Sequence, residues 1–366
     1  MPTSTTDPTR DVTRPGEEVG YPSGMNVRVE FTRQIAQIDG EMSRILGARG
    51  GHARPLYEML AYHLGLDGVD HAAGKRLRPL LGLLAYHSLT GDYDAALPGA
   101  AAVELGHNFS LVHDDIEDAD LERRHRPTLW AIWGIPLAIN AGDALFALSR
   151  LALYQLLDDG FSEHRVLELM RVYDETCLAL CEGQYLDISF ERLDEISVEA
   201  YLEMIGKKTA ALLGASVQAG AILATDDRDV VEAYRQFGYD LGMAFQMADD
   251  VKGSFWTSAD SGKPEAGDIR KRKKTLPMVW ALEHAADADR ARLRALYAHR
   301  DPTDEPLSDD DVAEILAILE RCGAREHALA EARRYRDVAL EQLDRLPCPP
   351  DRKGDLVAFV RSVIAA

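Results

Sequence analysis

Cysteine is scarce in this chain, and cations are outnumbered. The 366 residues include four cysteines, and 41 Lys+Arg stand against 61 Asp+Glu, a formal net charge of −20. Cys177, Cys181, Cys322 and Cys348 show no metal-ligand spacing. Cys177 and Cys181 fall one helical turn apart in an apolar stretch, a pattern of buried free thiols in a reducing compartment. So acidic a chain is a poor match for nucleic acid or an anionic membrane, which are bound through surplus Lys and Arg. A few local cations can still hold a small anion. No uncharged apolar run reaches the roughly 18 residues of a membrane span, and the N-terminus lacks the basic-then-apolar layout of a secretory signal. A repeat of about 20–50 residues is absent, which sets a solenoid aside. The expectation is a cytoplasmic protein with no integral membrane segment and no nucleic-acid partner.

What the chain does have is helix-forming sequence. Residues 1–24 are rich in Thr, Pro, Ser and Gly, with Val12, Val19 and Tyr21 almost alone as apolar side chains after Met1. Such a segment cannot offset its ordering entropy and is expected to be a disordered tail. From there Ala and Leu dominate, and apolar residues recur at three and four with no run of alternating β-branched residues. Residues 25–366 are therefore expected to form one all-α domain, an antiparallel bundle. Breakers divide it at Gly65–Gly68, Pro98–Gly99, Gly134–Pro136, Asp158–Gly160, Gly253–Gly267 and Asp301–Pro306. Ser308 and Asp311 have N-cap and N3 spacing for the next helix. Pro347, Pro349 and Pro350 then end a long charged helix before a short terminal one.

The segment from Glu104 to Asp118 carries the chemistry. Phe109, Val112 and Ile116 mark its buried side. Asp114 and Asp118 lie one turn apart with Asp115 beside them, at a helix C-terminus where the macrodipole is already negative. Like charges crowded there call for a cation, and hard oxygen donors favour Mg²⁺. Arg123, Arg124 and Arg126 follow at once, interleaving base with acid as a metal-bound polyphosphate requires. Downstream, Phe245-Gln-Met-Ala-Asp-Asp250 repeats the arrangement with Asp249 and Asp250. Gly262-Lys263, Asp268 and the run Arg270-Lys-Arg-Lys-Lys274 come next, and Lys75, Arg76 and Arg78 sit near the start. Taken alone, five consecutive cations read as a solvated patch. Together, two acidic clusters and three cationic elements have one cause if the bundle encloses a cavity with diphosphates at its mouth.

These residues resemble the trans-isoprenyl diphosphate synthases, the polyprenyl synthetase family, over residues 70–280. Ala73-Gly-Lys-Arg-Leu-Arg-Pro79 is similar to the Gly-Gly-Lys-x-x-Arg-Pro element, and Asp114-Asp-Ile-Glu-Asp118 to the first aspartate-rich motif. Glu122-Arg-Arg-His-Arg-Pro-Thr128, Gly183-Gln184, Lys208-Thr209 and Phe245-Gln-Met-Ala-Asp-Asp250 match later elements. The resemblance implies a Mg²⁺-dependent prenyltransferase, usually a homodimer, joining isopentenyl diphosphate to an allylic diphosphate. Asp114, Asp118 and Asp249 would bind the metal, three ions in all, with Asp115 and Asp250 in support. Arg123, Lys208 and Lys263 would hold the allylic diphosphate, with Lys273 nearby. Lys75, Arg78, His107 and Arg124 would hold isopentenyl diphosphate, and Gln246 joins the substrate-binding set. Phe109, five positions before Asp114 with Ser110 beside it, would gate the product at C20, with C15 and C25 as neighbours. Gly253 stands where the family commonly has a third aspartate, which weakens one expected metal site.

Three rival readings are poorer. A class I terpene cyclase would leave Lys75, Arg78 and Arg124 superfluous and puts Ser or Thr where Gly253 stands. A metal phosphohydrolase built on His113-Asp114 lacks partner histidines. A non-catalytic partner subunit should have lost carboxylates that this chain keeps.

Overall fold

The computed structural model describes residues 31–69, 74–255, 266–298 and 307–364. The predicted tail 1–24, Ala73, Lys263, the loop Asp301–Pro306 and much of the Gly253–Gly267 breaker lie outside the described residues. In chain order the helices are α1 (Thr32–Gly47), α2 (Arg54–Leu64), α3 (Leu77–Thr90), α4 (Leu97–Glu117), α5 (Leu129–Trp133), α6 (Ile135–Asp158), α7 (Glu163–Glu191) and α8 (Val198–Ile205). A π-helical turn, Gly206–Ala210, leads into α9 (Ala211–Ala224), and α10 (Arg228–Phe255) follows. The rest are α11 (Gly267–Arg270), α12 (Leu276–His284), α13 (Asp287–Tyr297), α14 (Asp309–Arg321), α15 (Ala324–Arg345) and α16 (Gly354–Ile364). The protein is all-α. Among the described residues the strands are confined to a two-residue hairpin, β1 (Glu122–Arg123) with β2 (Arg126–Pro127), an element that residues so rich in charge did not announce.

Local chemistry sets the boundaries. Pro98 begins α4 rather than interrupting it, because its missing N–H and fixed φ suit a first turn. Ser162 and Ser197 cap α7 and α8 by accepting from the N–H of Arg165 and Ala200. Ser308 and Asp311 form the expected capping box on α14: the Asp311 N–H donates to Ser308 Oγ (3.1 Å) and the Ser308 N–H to Asp311 Oδ2 (3.2 Å).

The largest core joins α1–α4, α6, α7, α9, α10, α15 and α16 through side chains such as Ile38, Leu60, Leu80, Leu105, Leu145 and Phe237, all fully buried. A satellite core gathers α11–α14 around Met278, Leu293 and Ile315. Another seats α8 and the π turn on α10, α12 and α15. Among the described residues one helix, α6, is long and apolar enough by length and composition to cross a membrane. It carries Asp143 and Arg150, and Ala138, Ala141, Leu145, Leu148, Ala152 and Leu156 bury its inner face. Its outer face exposes Ile135, Leu137, Ile139, Leu151, Tyr154 and Leu157.

Candidate active site

The C-terminal end of α4 places Asp114 and Asp118 on one flank, both partly buried, while Asp115 turns inward and is 2 % exposed. Arg123 of β1 serves two of these acids: Nε donates to Asp115 Oδ1 (2.6 Å) and Nη2 to Asp114 Oδ2 (3.2 Å). Burial pushes the Asp115 carboxyl up to about 6 despite the Arg123 guanidinium. Lys208, on the π turn, lies 3.3 Å from Asp114 Oδ1 and donates to Asp187 of α7. Lys273 reaches Asp118 Oδ2 at 3.6 Å. Burial alone would lower the Lys273 ammonium, but Asp118, Asp187, Asp268 and Asp114 together hold it above its ordinary value. Burial, then Asp118 and Asp187, raises Glu191 in turn. Gln184 completes this rim by donating to Glu117 (2.9 Å).

The second acidic motif splits in function. Asp249 is exposed in the last two turns of α10, whereas Asp250 points into the protein and is 6 % exposed. Asp250 accepts from Tyr201, from Gln246 Nε2 (2.9 Å) and from the Leu276 N–H at the start of α12 (2.9 Å). Its carboxyl, pushed up to about 7 by burial, thus ties α8, α10 and α12 together behind Asp249. Gln246 also accepts from Thr209 (2.8 Å), so it belongs to this brace. A Cβ at Gly253 would lie 2.6 Å from the Asp268 carboxyl carbon. Asp268 therefore fills the space that a third aspartate at position 253 would need, and the segment keeps a carboxylate there.

The run Arg270–Lys274 is not a solvated patch. Arg270 bonds Asp309 (2.7 Å), Lys271 bonds Asp120 (2.5 Å), Arg272 bonds the Leu296 carbonyl (2.9 Å) and Lys274 bonds the Leu193 carbonyl (2.7 Å), while Lys273 faces Asp118. Five neighbours in sequence thus lock five directions.

A second, cationic pocket lies on the other side of the hairpin. Arg124 and His125 both have positive φ (54° and 61°), a two-residue turn in a conformation usually left to Asn and Gly. The turn sends Arg123 toward the carboxylates and Arg124 toward Arg78 and His107. Strain of this kind persists where the surroundings enforce it. Arg124 lies so close to Gly74 that a Cβ there would be 2.8 Å from Nη2. Arg78 Nη1 donates to His107 Nε2 (3.0 Å), an imidazole kept neutral because burial, Arg78 and Arg124 lower it well below its ordinary value. Burial draws Arg78 down to about 10. Arg78 Nε and Arg124 Nη1 are buried without a partner, so the pocket holds guanidinium donors with nothing to bond.

Arg76, between Lys75 and Arg78, has a different task. It is 2 % exposed, in the left-handed region (φ 54°), and donates to Asp39 Oδ1 (2.7 Å), Glu104 Oε1 (2.9 Å) and the Leu64 carbonyl (2.6 Å). It joins α1, the end of α2 and α4 beneath the pocket. Lys75 is exposed beside it.

Phe109 packs edge-on against Phe146 of α6, with ring centroids 5.2 Å apart, and is 8 % exposed. The sequence reading missed Asp187 and Glu191, and it noted Asp268 without giving it a role. Asp187 follows Gln184 by three residues, one turn along the same face of α7, which was the signal available.

The donors Asp114, Asp118, Asp187, Glu191 and Asp249 offer carboxylate oxygen and no sulfur or imidazole, which fits Mg²⁺ rather than a softer metal. Among the described residues, no three acidic, His or Cys side chains meet closely enough to chelate an ion. The ammonium groups of Lys208 and Lys273 stand among these carboxylates instead.

The chain is similar to known proteins over most of its length. The family model described as Polyprenyl synthetase matches residues 56–318. The (2E,6E)-farnesyl diphosphate synthase of Mycobacterium tuberculosis is 40 % identical over 318 residues, 86 % of each chain. The geranylgeranyl diphosphate synthase of the same organism is 38 % identical over 307 residues, 79 % of this chain and 86 % of that one. The crystal structure of a polyprenyl synthetase from Streptomyces coelicolor superposes with a TM-score of 0.84 at 34 % identity, covering 92 % of this chain and 99 % of the other.

Proposed function

Because this chain belongs to the polyprenyl synthetase family and is a short-chain trans-prenyltransferase, we propose that it condenses isopentenyl diphosphate with an allylic diphosphate to give the C20 product, geranylgeranyl diphosphate. The observation that carries the reading is the hairpin: consecutive arginines face a carboxylate cluster and a buried cationic pocket, two diphosphate subsites one residue apart. Phe109, alone as an aromatic beside Ser110, supports C20. The named relatives include both a farnesyl and a geranylgeranyl synthase.

In this mechanism Asp114, Asp118 and Asp249 would hold Mg²⁺, three ions in all, with Asp187 and Asp268 adding negative charge. Bound Mg²⁺ supplies Lewis-acid charge that favours departure of the allylic diphosphate. Lys208, Lys273 and Arg123 turn from carboxylate to phosphate oxygens, neutralising that leaving group, and Lys263 is assigned the same task. Arg78, Arg124 and Lys75 grip isopentenyl diphosphate, with neutral His107 orienting Arg78, so that its C=C attacks the allylic cation. The proton then lost passes to the departed diphosphate. Apolar walls below Asp114 exclude water, which would quench the cation.

The exposed apolar stripe on α6 supports a homodimer, and the four unpaired cysteines fit a cytoplasmic location. The test is incubation with isopentenyl diphosphate plus the C5, C10 or C15 allylic diphosphate and Mg²⁺, with chromatography of the dephosphorylated products. A C20 alcohol that disappears with chelator is expected. A cyclic hydrocarbon from the allylic substrate alone, or no prenyl product, overturns the reading.

A further inference from the structure

Two cross-links between α4 and α7 share one spacing. Glu117 meets Gln184 near the carboxylates, and Gly106 meets Tyr173 deeper in the protein. Each pair lies eleven residues from the other on both helices, so α4 and α7 run side by side between them for about 16 Å. On the carboxylate side of α4, Asp114, Ser110, Gly106 and Val103 descend at helical spacing. Facing them, α7 presents Leu180 and Cys177. Val103, one turn below Gly106, joins Leu180 and Leu212 of α9 in a small apolar cluster detached from the main core.

Tyr173 of α7 lies across this face of α4 at Gly106. Gly106 is notched by it: a Cβ there would overlap the phenol hydroxyl and lie 2.8 Å from Cζ. The hydroxyl shares a hydrogen bond with Ser149 of α6, itself fully buried. The ring stacks on Phe146 (centroids 6.5 Å, 25° between planes), and Phe146 in turn meets Phe109 edge-on. Gly106 is about 12 Å below Asp114 along the helix axis, whereas Phe109 is about 7.5 Å below and turned toward α6. Phe109 thus stands on the α6 side of this face, and the phenol ring crosses the face one turn deeper.

We propose that Tyr173 is the residue that ends the prenyl tunnel, and that Ser149 positions it by holding its hydroxyl over Gly106. This rests on the prenyltransferase reading, and it assigns product length to a contact between α7 and α4 rather than to Phe109 alone.

The full-length protein, with the C15 allylic diphosphate, labelled isopentenyl diphosphate and Mg²⁺, provides the test by product chromatography. Tyr173→Ala is expected to shift most product at least one isoprene unit beyond the parent's. Tyr173→Phe, which keeps the ring but loses the bond to Ser149, is expected to keep the parent's main product with the same broadening as Ser149→Ala. Ser149→Ala is expected to broaden the distribution toward longer products without raising KM for isopentenyl diphosphate, a change that general loosening of the fold would not give. Should Tyr173→Ala not fold, Tyr173→Leu vacates the notch while keeping apolar bulk, and the same lengthening is required of it. Tyr173→Ala or Tyr173→Leu, if active in elongation yet giving the parent's product, overturns the assignment. A parent that makes no prenyl diphosphate overturns the enzymatic reading instead.

Discussion

Replacing Arg76 with methionine tests whether the middle cation of the Lys75–Arg78 element is structural. The substitution keeps much of the volume and deletes a guanidinium whose side chain is wholly buried. It removes donors from Asp39, Glu104 and the Leu64 carbonyl at once. Asp39 is partly exposed and can rehydrate, so most of the cost falls on Glu104, whose side chain is 3 % exposed. Removing one member of a buried ion pair costs about 3–5 kcal/mol. Asn108 still donates to Glu104 (3.1 Å), which favours the lower end. A loss of about 3 kcal/mol at roughly 2–4 °C per kcal/mol gives a fall in Tm of about 6–12 °C. The assay is urea and thermal unfolding at fixed protein concentration, because association would make Tm depend on it. In a double-mutant cycle, Glu104→Leu should be less costly on top of Arg76→Met than alone, with coupling above about 1 kcal/mol. A single variant within about 1 kcal/mol of the parent, or strict additivity, refutes the clamp.

Other expectations concern the two subsites, the second motif and acid stability. Arg123→Ala should lower kcat by about 10²–10³, whereas Arg124→Ala should mainly raise KM for isopentenyl diphosphate, by about 10–100-fold; steady-state kinetics with each substrate varied would expose equal effects from both, which would refute the division. Gly253→Asp restores the family's usual aspartate yet should reduce both activity and Tm, since the new carboxylate collides with that of Asp268; a gain in turnover would contradict this. His63 is lowered to about 3 by burial, then by Arg124 and Arg123. The unfolded chain therefore binds a proton that the native state refuses, and stability falls as pH drops below about 6.5, by up to about 1.4 kcal/mol per pH unit until near pH 3. Urea unfolding at pH 7 and 5.5 should show that slope diminished in His63→Gln. Ile139→Asp on the exposed face of α6 should convert a dimer to a monomer in light scattering, and an unchanged mass would place the interface elsewhere.

The helices were legible because burial on a helix repeats at three and four residues, and Ser308 with Asp311 announced a cap that the structure forms. The first acidic motif was legible because its members lie within one helix end. Partners supplied by distant segments were not. Asp187 and Asp268 gain meaning only through the packing of α7 and α11 around Lys273, and Arg76 looked like its neighbours until Asp39 and Glu104 closed on it. The run Arg270–Lys274 misled because adjacency in sequence says nothing about direction once a chain turns, and Arg272 itself has a positive φ of 53°. Gly253 signified a missing ligand in the sequence; in space it is the gap that admits Asp268.

The π-helical turn Gly206–Ala210 determines which of two adjacent lysines faces the carboxylate cluster. Lys207 points outward, bound to Glu182 and Glu203 at 3.0 Å each, and Lys208 points inward to Asp114 and Asp187. A π turn carries one residue more than an ordinary turn, so its excision would rotate everything on one side of it by about 100° relative to the other. A one-residue deletion there would leave a straighter, intrinsically better helix with the Lys208 ammonium swung away from Asp114 and Asp187. The irregularity acts as a frame setter: regular geometry is given up over five residues so that α8 can stay docked while its continuation aims a charge inward.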